Sequence, residues 1–187
     1  MTQPVRNPSH LHDPGGKTRL KLPDGVIGDA HFSQCGRYRH SLSRDWTKTG
    51  QSPKSILFVG LNPSVAGADV SDPTCHREMT FAKDWGFTRY LKANVLDWRA
   101  TSPTDIPKDP DLARSAQNMA TLAELAKESE IIVMASGNIH KRFLLIETET
   151  LTLLRNAGKP VKCLGINKSG HAKHPLYLRQ DSQLIDF

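Results

Sequence analysis

Four short, mostly apolar segments, separated by stretches long enough for helices, constrain the fold of this chain more than any other feature. They are the predicted strands Ser55–Gly60, Leu91–Leu96, Ile131–Ala135 and Val161–Ile166. Continuous apolar character is typical of strands buried on both faces of a parallel sheet. Two neighbouring parallel strands need a crossover connection, which is usually a helix. The sequence therefore predicts a three-layer α/β/α domain with a four-stranded parallel sheet.

Helix signals occupy the stretches between these strands. Asp72 and Pro73 supply an N-cap and a first-turn proline for a helix that runs towards Trp85. Asp109 caps a second helix, whose buried stripe follows helical spacing. That stripe consists of Leu112, Ala116, Met119, Ala123 and Ala126. A third helix is predicted from about Ile139 to Ala157, so helices alternate with strands throughout.

The region before the first strand has a different character. Residues 1–30 are rich in proline and glycine and poor in apolar residues, which predicts an extended arm. Residues 31–46 alternate partly around Cys35 and Gly36, which favours a hairpin or an edge strand. We therefore expect one domain over residues 31–187, preceded by the arm.

Composition narrows the class of protein. No apolar run approaches the length of a membrane span, and the first residues lack the apolar core of a secretory signal, so a cytoplasmic protein with no membrane contact is expected. Three distant cysteines indicate neither a disulfide framework nor a metal centre, so no metal and no cofactor are predicted. The net charge of +6 favours a polyanionic partner, because each neutralised phosphate releases counterions.

Polar residues follow each predicted strand, where ligands of open parallel sheets bind. In chain order these candidate site residues are Asn62, Pro63, Ser64, Asn94, Asp97, Asn138, Lys168, Ser169, Lys173 and His174. Because the carboxyl ends of parallel strands meet at one edge of the sheet, we expect these side chains to share a crevice there.

Several segments carry a resemblance to known families. GRYRHSLSRDW, ILFVGLNPS, NVLDWRATSP and KSGHAKHPLYL resemble a bacterial domain family with no assigned activity, over nearly all of residues 30–187. The motif order also resembles the uracil-DNA glycosylase superfamily, especially its mismatch-specific branch. The matching positions are residues 60–64 (GLNPS), Asn94 at the end of the second strand, and residues 174–176 (HPL). Ser64 stands where that superfamily has glycine or tyrosine, and Leu176 stands where it has serine. The cysteines of its iron–sulfur branches are absent.

The resemblance implies a role for most of the candidate residues. Asn62 would hold the attacking water with its amide oxygen, on a turn made rigid by Pro63, and a neutral His174 would donate to a base oxygen that gains charge. Asn94, with Ser64 beside the base, would pair with a base edge through its donor and acceptor. Asp97 is assigned from its position after the second strand rather than from the resemblance, and it would orient a water. Flanking phosphates would be bound by Lys168, Ser169, Lys173 and Asn138.

The predicted function is therefore metal-independent hydrolysis of the N-glycosidic bond of a base flipped out of DNA. The expected bases are damaged, mismatched or modified, as in phage DNA, in repair or defence, and the expected enzyme is a monomer with DNA as its partner. Two alternatives remain open at this point: a non-catalytic protein that binds nucleic acid or a nucleobase, and a hydrolase acting on free nucleosides or nucleotides.

Overall fold

A computed structural model describes residues 12–16 and 18–187. It has a mixed α/β architecture, in which helices flank a central sheet that spans seven strands within the described residues. In spatial order these strands are β2 (Ile27–Phe32), β3 (Arg39–Asp45), β6 (Arg89–Asn94), β4 (Ser55–Gly60), β7 (Ile131–Met134), β8 (Val161–Cys163) and β9 (Ile185–Asp186). A separate antiparallel pair is formed by β1 (Leu20–Lys21) and β5 (Val70–Ser71).

The four central strands, in the order β6-β4-β7-β8, are parallel, which confirms the predicted parallel sheet. The ends of the strands shift slightly. β8 stops at Cys163 rather than at Ile166, because Gly165 takes a φ of 134°, which no strand residue adopts. The carboxyl ends of β4, β6 and β7 lie side by side, since Gly60 pairs with Asn94 and Val59 with Met134.

Antiparallel strands extend the sheet at both sides. The predicted hairpin is present as β2 and β3, with Gly36 at a φ of 68° in the connection. β2 begins at Ile27, so the predicted boundary of the arm at residue 30 falls inside a strand. Of the predicted arm, residues 1–11 and 17 lie outside the described residues. β9, which the sequence did not indicate, pairs with β8 near the C-terminus.

Helices cover both faces of the sheet. They are α1 (Pro73–Asp84), α2 (Pro110–Ala113), α3 (Asn118–Glu128) and α4 (Leu144–Asn156). α1 packs on the face that carries Ile56 and Phe58, whereas α3 and α4 pack on the face that carries Leu57 and Val59. No helix among the described residues is both long and apolar enough to span a membrane.

Two helix predictions have different outcomes. Asp72 caps α1 as expected, since its Oδ1 accepts from the backbone N–H of Cys75 at 2.8 Å. The single helix predicted after Asp109 is wrong, because it is broken between α2 and α3. The backbone N–H of Ser115 donates to Asp97 Oδ1 at 2.7 Å, which draws the chain off the helical path. Ala116, part of the predicted stripe, therefore lies between the two helices.

Buried arginines hold the long segment that follows β4. Arg39 donates to the carbonyl of Ala66 at 2.9 Å, and Arg44 donates to those of Gly67 at 2.6 Å and Val70 at 2.9 Å. Both arginines are only 1% exposed. Their charges meet carbonyl dipoles of the loop rather than carboxylates, so the loop conformation and the hairpin depend on each other.

The buried guanidinium of Arg44 gives a stability prediction. Arg44→Met keeps most of the side-chain stem but removes the guanidinium donors from the carbonyls of residues 67 and 70, of which only that of residue 70 keeps a backbone donor, the N–H of Gly67. We expect the free energy of unfolding to fall by about 3 kcal/mol, measured by urea denaturation. Arg155→Met, at an exposed position of α4, is the matched control and should change it by less than about 0.5 kcal/mol. Equal effects of the two substitutions would contradict the role given to Arg44.

Candidate functional site

The loops that follow β4 and β6 are bonded to each other beyond the sheet. The N–H of Val95 donates to Gly60 O, and that of Ala100 donates to Pro63 O, both at 2.9 Å. Ser64 Oγ lies 2.6 Å from Thr101 Oγ1. These bonds continue the strand pairing past its last residues, so Asn62 is carried by a braced backbone rather than by a free loop. Pro63 is buried in this brace.

The amide of Asn62 is held in one orientation. Its Nδ2 donates to Ala100 O at 2.7 Å and to Pro63 O at 3.1 Å. These bonds identify the nitrogen, because both partners are carbonyl oxygens that accept only. The side chain is partly buried, and its Oδ1 accepts no hydrogen bond from the described residues. Asn62 therefore presents a fixed acceptor just past the end of β4.

Asn94, the last residue of β6, has no partner for its side chain. It is 1% exposed, and both Oδ1 and Nδ2 are buried without a hydrogen bond. Its backbone carbonyl, in contrast, accepts from Asn118 Nδ2 at 3.0 Å. An unpaired buried amide is costly, so it is expected where a ligand supplies the missing partners. Because both atoms are covered in this structure, a ligand reaches them only when the side chains around them move.

A buried ion pair lies beside Asn94. Lys92 Nζ donates to Glu78 Oε1 at 2.7 Å, and the hydroxyl of Tyr90 donates to Glu78 Oε2 at 2.6 Å. Burial raises the pKa of Tyr90 well above its ordinary value of 10.0, so the hydroxyl keeps its proton. A Cβ on Gly60 would lie 2.7 Å from Lys92 Nζ and 2.9 Å from Asn94 Oδ1. A side chain at position 60 would therefore force both polar ends to move from their present places.

His174 begins the turn that follows β8. Its Nδ1 accepts from the backbone N–H of Leu176 at 3.4 Å, so in the neutral ring the proton is on Nε2. Burial lowers the pKa of His174 below its ordinary 6.5; the charge of Glu78 opposes that shift, and the charge of Lys92 adds to it. Gly137, just past β7, lies close to His174: a Cβ added to Gly137 would lie 3.4 Å from the Cβ of His174. His174 is thus a neutral Nε2–H donor near the buried pair.

We call Asn62, Lys92, Asn94, Glu78 and His174 the strand-end cluster. Sequence analysis singled out Asn62, Asn94 and His174, and it missed the other two. A signal for them was present: Lys92 lies two residues from Asn94 in a strand, and Glu78 falls within the buried stripe of α1. A charged residue at an expected core position indicates either a buried pair or a site.

Asp97 does not belong to this cluster. It is fully buried, and its carboxylate accepts from His40 Nδ1 at 2.8 Å and from the N–H and Oγ of Ser115 at 2.7 and 2.5 Å. A register shift between β2 and β3 leaves His40 without a cross-strand partner, a β-bulge that turns its ring towards Asp97. With its oxygens occupied, Asp97 links β3 to the turn between α2 and α3, and is not placed to orient a water.

The predicted phosphate contacts divide into two groups. Lys168 and Lys173 are exposed on the loop after β8. Ser169 Oγ instead donates to Asn138 Oδ1 at 2.8 Å, which ties the loops after β7 and β8 together. Asn138 and Ser169 therefore fix the shape of this rim, while the two lysines carry its charge.

Two surface cavities lie away from the strand-end cluster. A groove of about 720 Å³ runs between the β2–β3 hairpin and α3, with His31, His40 and Glu124 in its lining. A second cavity of about 570 Å³ separates α3 from α4. Neither includes Asn62, Asn94 or His174 in its lining.

His174 gives a pH prediction. Its pKa is lower in the folded chain than in the unfolded chain, so the unfolded chain binds more protons below about pH 6.5, and acid destabilises the fold. In His174→Gln this acid-dependent loss should disappear. The stability of the variant relative to wild type should therefore improve as the pH falls from about 7 to about 5, measured by urea unfolding at each pH. His76→Gln, at an exposed position of α1, is the control. If the difference in stability between His174→Gln and the wild type did not change with pH, the conclusion that the buried ring of His174 is neutral would be contradicted.

The comparisons with known proteins identify a family. The chain matches DUF1643, described as a protein of unknown function, over residues 39–176. No curated protein matches the chain. The matched region runs from β3 to the turn at His174 and so contains the whole strand-end cluster. The relationship to uracil-DNA glycosylases stays a prediction, whereas the matched share of the sequence shows that this chain belongs to the DUF1643 family.

Proposed function

We propose that this protein is a DNA glycosylase of the uracil-DNA glycosylase type, which hydrolyses the N-glycosidic bond of a base flipped out of DNA. The observation that carries the proposal is the amide of Asn62. Two backbone carbonyls fix its nitrogen, so its oxygen is left as an oriented acceptor at the sheet edge where ligands of α/β domains bind. That arrangement suits a group that positions a water and does not itself lose or gain a proton.

In this proposal Asn62 Oδ1 accepts a hydrogen bond from the attacking water and aims its oxygen at C1′ of the sugar. The brace between the two loops fixes the backbone on both sides of Asn62, so little reorganisation is needed in the transition state. Ser64, bonded to Thr101, supports the same brace. Because a side-chain amide does not ionise near neutral pH, Asn62 contributes by positioning the water rather than by taking its proton.

Asn94 and His174 act on the base. The unpaired amide of Asn94 offers one donor and one acceptor, which together match a base edge that presents an acceptor beside an N–H. The Nε2–H of His174 donates to a base oxygen that gains charge as the bond breaks, as the donors of an oxyanion hole do. Since Asn94 is covered, binding of the base includes opening of the cluster, which favours a base already out of the helix.

DNA is the proposed partner, and the proposed active form is a monomer in the cytoplasm. The net charge of +6 and the exposed Lys168 and Lys173 on the rim support contact with a phosphate backbone. The bond between Ser169 and Asn138 holds the rim in shape. Such contacts give affinity without sequence information, so selectivity depends on the pocket that receives the base.

Asn62→Ala should lower single-turnover base release on the order of a hundredfold or more, because a positioned transition-state contact is lost. The affinity for DNA and the midpoint of thermal unfolding should change little. Asn156→Ala, at an exposed position of α4, is the control and should keep the wild-type rate. If Asn62→Ala releases base as fast as wild type, Asn62 does not hold the water.

Binding to DNA should weaken steeply as salt rises. Lys168→Ala and Lys173→Ala should each lower the slope of log K against log salt by about one, measured by fluorescence anisotropy with a labelled duplex. Lys54→Ala, exposed just before β4 and hence at the opposite end of the strand, should keep the full slope. A flat salt response in the wild type would favour an enzyme of free nucleosides or nucleotides. Steep salt dependence without base release would favour a non-catalytic binder.

A further inference from the structure

The ion pair of Lys92 and Glu78 is an unusual element of a core. Lys92 is 3% exposed and Glu78 is fully buried. The same sheet face carries the apolar side chains of Ile56 and Phe58 as well as the buried Arg44. Replacing a buried ion pair by apolar residues of similar size is often neutral or stabilising, because both charges have to leave water. Stability alone therefore does not account for a lysine in this strand.

The ammonium of Lys92 has unused donors. Glu78 accepts one of its three N–H groups, and no other described residue accepts a second. The carboxylate of Glu78, in contrast, is engaged at both oxygens, by Lys92 and by Tyr90. Glu78 thus balances the charge of Lys92 without using up its hydrogen-bonding capacity, so the ammonium can take a further acceptor.

The position of the ammonium indicates where that acceptor would be. Lys92 and Asn94 lie on the same face of β6, and their polar ends both come within 3 Å of the point that a Cβ on Gly60 would occupy, at 2.7 and 2.9 Å. The space left by Gly60 therefore faces a cationic donor and an unpaired amide together, at the end of β4 and two residues before Asn62. The charge of Lys92 also contributes to the lowered pKa of His174, so the two groups interact electrostatically.

We propose that Lys92, held by Glu78, donates to a carbonyl oxygen of the heterocycle that Asn94 contacts, and stabilises the negative charge on it. The inference rests on the proposed function and extends it with one further catalytic residue. As the bond between C1′ and the ring nitrogen breaks, its electron pair goes to the ring and is shared with the carbonyl oxygen next to Lys92. The hydroxyl of the attacking water bonds to C1′, and the proton of that water ends on the departed base. The ligand class is therefore a planar heterocycle whose carbonyl oxygen can carry negative charge.

Free bases of graded acidity test this directly. Uracil, 5-fluorouracil and 6-azauracil become more acidic in that order, so at one mildly alkaline pH an increasing fraction is anionic. Calorimetric titration of the wild type should show affinity rising along the series. The double variant Lys92→Met with Glu78→Gln removes both charges and keeps an acceptor for Tyr90. It should lose the preference for the acidic bases, a change of roughly tenfold or more. Lys54→Met is the control with an exposed lysine removed.

The inference would be overturned if the wild type bound all three bases with equal affinity or bound none of them. It would also be overturned if the double variant kept the preference for the acidic bases. The wild type gives a second readout that needs no substitution. The ¹⁵N resonance of Lys92 Nζ should shift when 6-azauracil binds, while that of Lys54 should not, and an unmoved Lys92 resonance would also overturn it. Base selectivity lost in the variant, together with no release of base from DNA, would support Lys92 and refute the glycosylase. If the double variant released base from DNA at the wild-type rate, the glycosylase activity would be supported and the role of Lys92 refuted.

Discussion

Three arginine side chains buried among carbonyl groups determine the shape of the region after β4. Arg39 and Arg44 extend from β3 to the loop of residues 66–70, and Arg99 donates to Gly36 O at 2.8 Å and to His12 O at 3.0 Å. The guanidinium groups satisfy carbonyls that lie away from water, and among the described residues none of the three arginines forms a salt bridge within 4.0 Å. Hairpin and loop are therefore formed together, and the backbone that carries Asn62 is rigid as a result.

Most of the fold was predictable because apolar patterns are local. The central strands, the cap at Asp72 and the hairpin depend on residues within a few positions of each other, and the structure confirms them. The errors arose where distant residues decide. The predicted helix after Asp109 breaks because Asp97, which lies outside the helical pattern and before it in the chain, accepts from the N–H of Ser115. Likewise, nothing near Ile185 indicates that β9 pairs with β8.

For the site, the sequence indicated positions better than roles. Asn62, Asn94 and His174 all lie at or after the carboxyl ends of strands, and these ends share one edge because the strands are parallel. Whether a polar side chain there is free or occupied depends on partners that only the folded chain brings together. The carboxylate of Asp97 accepts hydrogen bonds from His40 and Ser115, whereas the side-chain amide of Asn94 has no hydrogen bond. Asn94 thus places an amide with both polar atoms unsatisfied at the end of the sheet that the proposal assigns to the base.

The central claim is that the strand-end cluster releases a base from DNA, and one assay tests it most directly. Purified protein is incubated with a set of duplexes and single strands, each carrying one mismatched, damaged or modified base, and the products are treated with alkali to reveal abasic sites. The account predicts strand cleavage after alkali, but not before it, for at least one carbonyl-bearing base, with the free base recovered intact. Absence of abasic sites across the set, from a protein that binds the same DNA, would contradict it.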